Sequence, residues 1–246
     1  MIVIRRSGDR GHAHFGWLDS RHTFSFGQYH DPAHRGFSVL RVINQDRVAP
    51  GHGFPMHPHR DFEIFSYILD GALSHEDTTG ASATVYRHDV QLISAGTGMA
   101  HSEANPSSTD EVHFLQVWLQ TNRPGLHPVY SQARFGADAK SGRLCLIMSP
   151  DGEAGSLAFR QDARIFATVL RDGEKVEHVL KPGRVAWLHV ATGALSVNDV
   201  ALSPGDGASF TGETSVRLTG TIHEAEALLF DLPGSPHSFG ATDRWS

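Results

Sequence analysis

The chain has 246 residues, 39% of them hydrophobic and 20% charged, with a formal net charge of -6 and one cysteine. That is enough chain for one large domain or two small ones with real cores, and with no cluster of Lys or Arg it argues against nucleic acid and anionic membranes as main partners. An intrachain disulfide is excluded, and Cys145, inside the apolar run Leu144–Met148, reads as a packing residue in a reducing compartment.

The opening Met1-Ile-Val-Ile-Arg5-Arg6 places its charge after a short apolar stretch, which is not a signal-peptide pattern. No run approaches the ~20 apolar residues of a membrane span, so the cytoplasm is the expected location. An arm containing His12, His14, His22, His30 and His34 follows, and these are expected to satisfy local hydrogen bonds or face water. Strands are predicted at Ser38–Ile43, Glu63–Leu69, Val112–Leu119 and Ile165–Leu170, where β-branched and aromatic residues run between Gly and Pro turn signals. No helix of three turns is predicted. Many short strands imply an all-β barrel or sandwich. His52 and His75 fall near turns and read as surface groups. His113 lies within a strand, where it either lines a pocket or packs. Phe54, Met56, Phe65, Met99 and Trp118 are each barrel core or pocket wall.

Two short motifs stand out, His57-Pro58-His59 and His101-Ser102-Glu103. Residues i and i+2 of a strand share a face, so each motif offers two donors to one point. Two such strands facing each other close a site of three imidazoles and one carboxylate. This set suits Fe, Ni, Co, Mn, Cu or Zn rather than a thiolate-loving site. Glu63 is a rival carboxylate. It lies four residues beyond His59, roughly 13 Å along an ideal strand, and strand geometry favours Glu103. Glu63 then reads as a supporting carboxylate that bonds an imidazole N–H or serves the fold.

The chain also echoes itself. Ile68-Leu-Asp-Gly-Ala-Leu-Ser74 is similar to Val190-Ala-Thr-Gly-Ala-Leu-Ser196, a turn holding Asp89 or Asp206 follows, and each half ends in an apolar strand. Two copies of one β-module are implied. Aligning the copies sets Val179 and Lys181 opposite His57 and His59, and Leu218 and Gly220 opposite His101 and Glu103, so the second copy is expected to lack a metal site.

With their flanks, the motifs read Gly51-x5-His57-x-His59-x3-Glu63 and Gly98-x2-His101-x-Glu103-x-Asn105. They resemble the two signature motifs of the cupin superfamily, whose fold is a small double-stranded β-barrel. More narrowly the chain resembles the pirin family, through Arg10–Ser20, His22–Phe26, His57–Glu63, Ser94–Glu103 and Leu228–Pro233, and within it the bacterial pirins described as quercetin 2,3-dioxygenases. Two departures stand out. Gly96-Thr-Gly98 replaces the usual Pro-x-Gly, and His88 stands where a turn Gly is usual.

The resemblance implies an all-β bicupin. Residues 1–122 would form a metal-binding barrel with an N-terminal arm, 123–162 a connector, 163–232 a metal-free barrel, and 233–246 a flexible tail. It implies one divalent transition metal held by His57, His59, His101 and Glu103. It also implies a dioxygenase that opens flavonols such as quercetin with O2 and releases carbon monoxide, with Glu103 as the catalytic base. The alternative is a metal-binding regulator with a protein partner in transcription or metabolism. A roomy apolar pocket at the metal would favour the enzyme.

Overall fold

The computed structural model describes residues 1–234. Strands dominate because β-branched and aromatic runs alternate with turns whose glycines take positive φ. One seven-stranded antiparallel sheet runs, in spatial order, Val129–Arg134, Asp89–Ser94, Phe62–Asp70, Val112–Gln120, Leu40–Val48, Leu18–His22 and Gly11–His14. It closes against a four-stranded sheet of Gly53–His59, Met99–Ala104, Ala72–Asp77 and Ser82–Tyr86. The second barrel repeats this plan. Its seven-stranded sheet is Ile2–Arg5, Gly207–Phe210, Arg184–Thr192, Ala225–Pro233, Arg164–Leu170, Cys145–Ser149 and Leu157–Ala158. Its four-stranded sheet is Lys175–Val179, Ser215–Gly220, Leu195–Val197 and Val200–Leu202. Among the described residues the only α-helix is Ala137–Lys140, and no helix is long and apolar enough to cross a membrane.

The two-barrel architecture is the one expected, but the partition of the chain is less simple. Strand Ile2–Arg5 pairs with Gly207–Phe210 and so belongs to the second barrel's sheet. The 123–162 stretch supplies an edge strand, Val129–Arg134, to the first barrel and two strands to the second. The tail expected at 233–246 lies outside the described residues, except for Pro233, which ends a strand, and Gly234.

The sequence echo is a structural repeat. Gly71 and Gly193 each turn the chain, with positive φ, from the seven-stranded to the four-stranded sheet, and a Cβ on either would strike the backbone leading into the module's last strand, at Glu111 and Glu224. His88 takes φ 76 in the turn where the second barrel has Gly205 at φ 80. A non-Gly residue tolerates this at some cost.

Alternation along the central strands sorts two cores. Phe65, Tyr67, Leu69, Leu115 and Val117 face outward and join Trp187, Leu228 and Phe230 in the largest apolar cluster, which lies between the barrels. Their neighbours Ile64, Ser66, Ile68, Phe114, Gln116 and Trp118 alternate with them and belong to the opposite, inner face. The second barrel is filled by a continuous apolar cluster that includes Leu180, Val216 and Leu218. The first barrel's interior is split into two small clusters with a polar band between them.

One buried polar contact pins the barrels together. Lys140, fully buried, places Nζ 2.6 Å from Tyr67 Oη of the first barrel and 2.6 Å from Glu226 Oε1 of the second. Tyr67 Oη also donates to Glu226. Removing one partner strands a charge in the interior. Lys140→Ala is therefore expected to cost about 3–5 kcal/mol in urea unfolding. A Lys140→Met, Glu226→Gln double variant removes both charges and should recover most of that loss.

Candidate metal centre and cavity

The polar band contains the two motifs. Gly53–His59 is the edge strand of its sheet, a position that tolerates Pro55 and Pro58, which lack an N–H. His57 stands directly across from His101, and a bulge follows before Glu103 pairs with Phe54. His59 Nε2 and His101 Nε2 lie 3.0 Å apart, and the His57 ring is centred 4.7 Å from His59 and 4.5 Å from His101. Burial and the neighbouring imidazoles push His59 and His101 down to about 3, so both are neutral near pH 7.

Hydrogen bonds orient the rings. His57 Nδ1 donates to the Pro55 carbonyl at 2.8 Å, which leaves Nε2 as its lone-pair nitrogen. His101 Nδ1 lies 3.4 Å from His75 Nδ1, and His75 Nε2 lies 2.9 Å from Asp77 Oδ2. Burial alone would raise the Asp77 carboxyl, but hydrogen bonds from Thr79 and His75 hold it below the usual carboxylate range. The network therefore assigns the His75 proton to Nε2 and lets His101 donate through Nδ1, with His101 Nε2 facing His59. Two nitrogens held at about 2.05 Å from one ion and at right angles would be about 2.9 Å apart. The observed spacing suits a shared cation.

Glu103 is 1% exposed. Its Oε1 accepts from Gln91 Nε2, and its Oε2 accepts from Gln116 Nε2 at 2.8 Å. Ser66 Oγ lies 3.2 Å from Glu103 Oε1 and 2.9 Å from Gln116 Oε1, and its single proton serves one of the two. Burial pushes the Glu103 carboxyl above its ordinary range. Donor atoms of Glu103, His75 and His101 all lie within 4.8 Å of one another, as do those of His57, His59 and His101. His101 belongs to both groups, and no single group among the described residues holds all four motif residues. Glu63 does not join them. Its Oε2 accepts from Ser94 Oγ at 2.5 Å and from the Arg160 backbone N–H at 3.2 Å, and among the described residues it bonds no imidazole.

A cavity of about 500 Å³ opens against His57 and Glu103, walled by Phe54, Phe26 and Trp118. A second cleft of about 580 Å³ shares His57, Phe54 and Trp118 with it and also reaches His59. The cavity's far wall comes from the arm and its partner strand. His22 lines it, where the sequence predicted local bonding or solvent; His12 lines it too, and keeps the expected local bond, with Nε2 3.0 Å from Asp19 Oδ2. His75 is 1% exposed rather than a surface group. It was detectable, since His75-x-Asp77 repeats the same i, i+2 pattern as the two motifs. His113 does not line the cavity. It turns outward, with Nε2 3.0 Å from Gln45 Nε2. Of the ambiguous apolar residues, Phe54 and Trp118 are wall, Phe65 and Met99 are core, and Met56 is exposed.

Strand register corrects the alignment of the second barrel. Val216 pairs with His178 as His101 pairs with His57, and Leu218 pairs with Val197 as Glu103 pairs with His75. The equivalents of His57, His59, His101 and Glu103 are therefore His178, Leu180, Val216 and Leu218. The predicted register was off by one residue on one strand and two on the other, because the copies differ in turn length. His178 alone retains a donor, and it bonds Asp231 at 2.8 Å.

Comparison with known proteins extends over nearly the whole chain. A family model described as Pirin matches residues 4–119, and one described as the quercetinase C-terminal cupin domain matches residues 146–232. The chain is 43% identical over 233 residues to a quercetin 2,3-dioxygenase of Escherichia coli (strain K12), covering 95% of this chain and 99% of that protein. It is 37% identical to a pirin-like protein of Caulobacter vibrioides, covering 94% and 99%. It superposes on the bacterial pirin YhhW in complex with nickel(II) from Escherichia coli with a TM-score of 0.90 and 42% identity, covering 96% of this chain and 100% of that one.

Proposed function

Because this chain belongs to the pirin family, we propose that it is a metal-dependent dioxygenase that opens flavonols such as quercetin with O2 and releases carbon monoxide. The cavity of about 500 Å³ against His57 and Glu103 is the observation that carries this reading over the regulatory one. Its size lies within the range of small-molecule sites, and a regulator that only senses metal has no use for it.

In this reading His57, His59, His101 and Glu103 hold one divalent ion, and nickel is the first to test given the nickel(II) complex of the similar YhhW. Such an ion supplies positive charge that lowers the pKa of a coordinated hydroxyl and an open position for substrate. Phe54 and Trp118 bracket the planar rings and keep water from the reacting edge. Glu103 takes the proton of the flavonol 3-hydroxyl. With the Gln91 and Gln116 amides both donating to its carboxylate, it is held in place. Burial, which raises its proton affinity, helps it take that proton. The test is oxygen uptake and carbon monoxide release with quercetin after anaerobic loading with each candidate metal, against the free ion as control. Rates no faster than that control with every metal would sink the dioxygenase reading.

His75 and Asp77 orient His101 in this scheme. His75→Phe keeps the ring shape but offers no acceptor to His101 Nδ1. It is expected to weaken metal binding about 10–100-fold, as loss of such outer partners generally does. Competition against a chelator of known affinity measures it.

A further inference from the structure

The sheet lining the cavity carries a row of polar side chains that the metal centre only partly uses. His22, Asn44, Gln116, Ser66 and Gln91 are successive cross-strand partners on five adjacent strands. Three of them, Gln116, Ser66 and Gln91, converge on Glu103. The other two continue the row away from it along the cavity wall. Asn44 is 3% exposed and His22 is 6% exposed. Neither Asn44 Oδ1 nor His22 Nδ1 has a hydrogen-bond partner among the described residues. Buried polar groups are nearly always paired, and one left alone costs about 1–3 kcal/mol. Those two atoms are closed off from the cavity, but both residues line it and neither side chain makes a hydrogen bond among the described residues, so the rest of the Asn44 amide and of the His22 imidazole stands ready for a ligand there.

The spacing identifies the chemistry. Adjacent strands are about 4.8 Å apart, so His22 lies roughly 10 Å across the sheet from Gln116 and its contact with Glu103. A planar three-ring molecule with one edge at Glu103 reaches that far. His22 is pushed down to about 4 by burial and by Arg10 and His12. Its ring is therefore neutral and offers one acceptor and one donor, while the Asn44 amide offers both as well. Cross-strand neighbours of this kind suit a pair of adjacent hydroxyl groups.

Building on the dioxygenase reading above, we propose that His22 and Asn44 are binding residues for adjacent hydroxyl groups on the substrate ring remote from Glu103, and that they select flavonols whose pendant ring is a catechol. The selectivity arises because a ring without hydroxyls leaves the two side chains buried and unpaired, whereas a catechol pairs both.

The experiment measures binding, not turnover. Three flavonols carrying two, one and no hydroxyls on the pendant ring are titrated anaerobically into the nickel-loaded full chain by calorimetry. The wild-type protein is expected to bind the dihydroxylated compound at least about tenfold more tightly than the unhydroxylated one, the equivalent of one good hydrogen bond. Asn44→Leu and His22→Phe are each expected to erase most of that preference, with less than about a twofold change for the unhydroxylated compound. Equal wild-type affinity for all three overturns the proposal, whether or not the variants fold. So does uniform weakening in both variants. Binding with the expected preference but without oxygen uptake supports the proposal while the dioxygenase reading fails. Absence of any flavonol binding overturns both.

Discussion

His101→Ala is expected to abolish stable metal binding, lowering the metal content of purified protein from about one ion per chain to near zero. His101 is the centre of the donor set, with its Nε2 3.0 Å from that of His59 and its ring 4.5 Å from His57. It is also the ring anchored through His75 to Asp77. Loss of an outer partner typically costs 10–100-fold in affinity, and loss of a donor itself should cost well beyond that. Elemental analysis after dialysis against a weak chelator reads the outcome, and full retention would remove His101 from the ligand set. An exposed grouping of His12, His14 and Asp19 also brings three donors within 4.8 Å. The measurement is therefore repeated with His12 and His14 both changed to Ala, so that weak surface binding does not pass for retention at the centre.

The second large effect is expected from Glu103→Gln, which should lower turnover by about 10²–10⁴-fold, the usual contribution of a general base. Metal content should fall much less, because an amide oxygen can still face the ion. The local rearrangement is predictable. Gln91 and Gln116 both donate NH2 groups to the carboxylate, and an amide at position 103 presents an NH2 of its own to one of them. Gln116 can turn its amide round and offer Oε1, so pairing is restored without moving the backbone. If the variant keeps both its metal and its full rate, Glu103 is not the base, although the rest of the reading survives.

The strands and the doubled architecture were legible because both rest on local signals, β-branched runs with turn glycines and a repeated turn string. The pairing of the two motif strands was legible because strand periodicity puts i and i+2 on one face, and His101 does face His57 across the ladder. The same rule would have found His75 and Asp77, whose position near a turn suggested exposure. What sequence could not show is long-range register. Nothing local says that Gln91 and Gln116 meet Glu103, or that His22 on the arm faces the cavity. The misaligned second barrel has the same cause. A one-residue difference in a turn is silent in a short string, yet it exchanges Val179 for His178.

Strand Ile2–Arg5 imposes an order on assembly. Its pairing partner begins at Gly207, so the strand is synthesised about 200 residues before the edge it completes, a wait on the order of 10–40 s at ordinary translation rates. During that time the first barrel has all its own strands, down to Val129–Arg134, and can fold while still holding Ile2–Arg5 tethered beside it. When Gly207–Phe210 emerges it meets a strand already close by, which shortens the search for a contact that would otherwise be among the slowest in the chain. A ribosome product made of the second module alone would leave that edge open to whatever other strand it encountered.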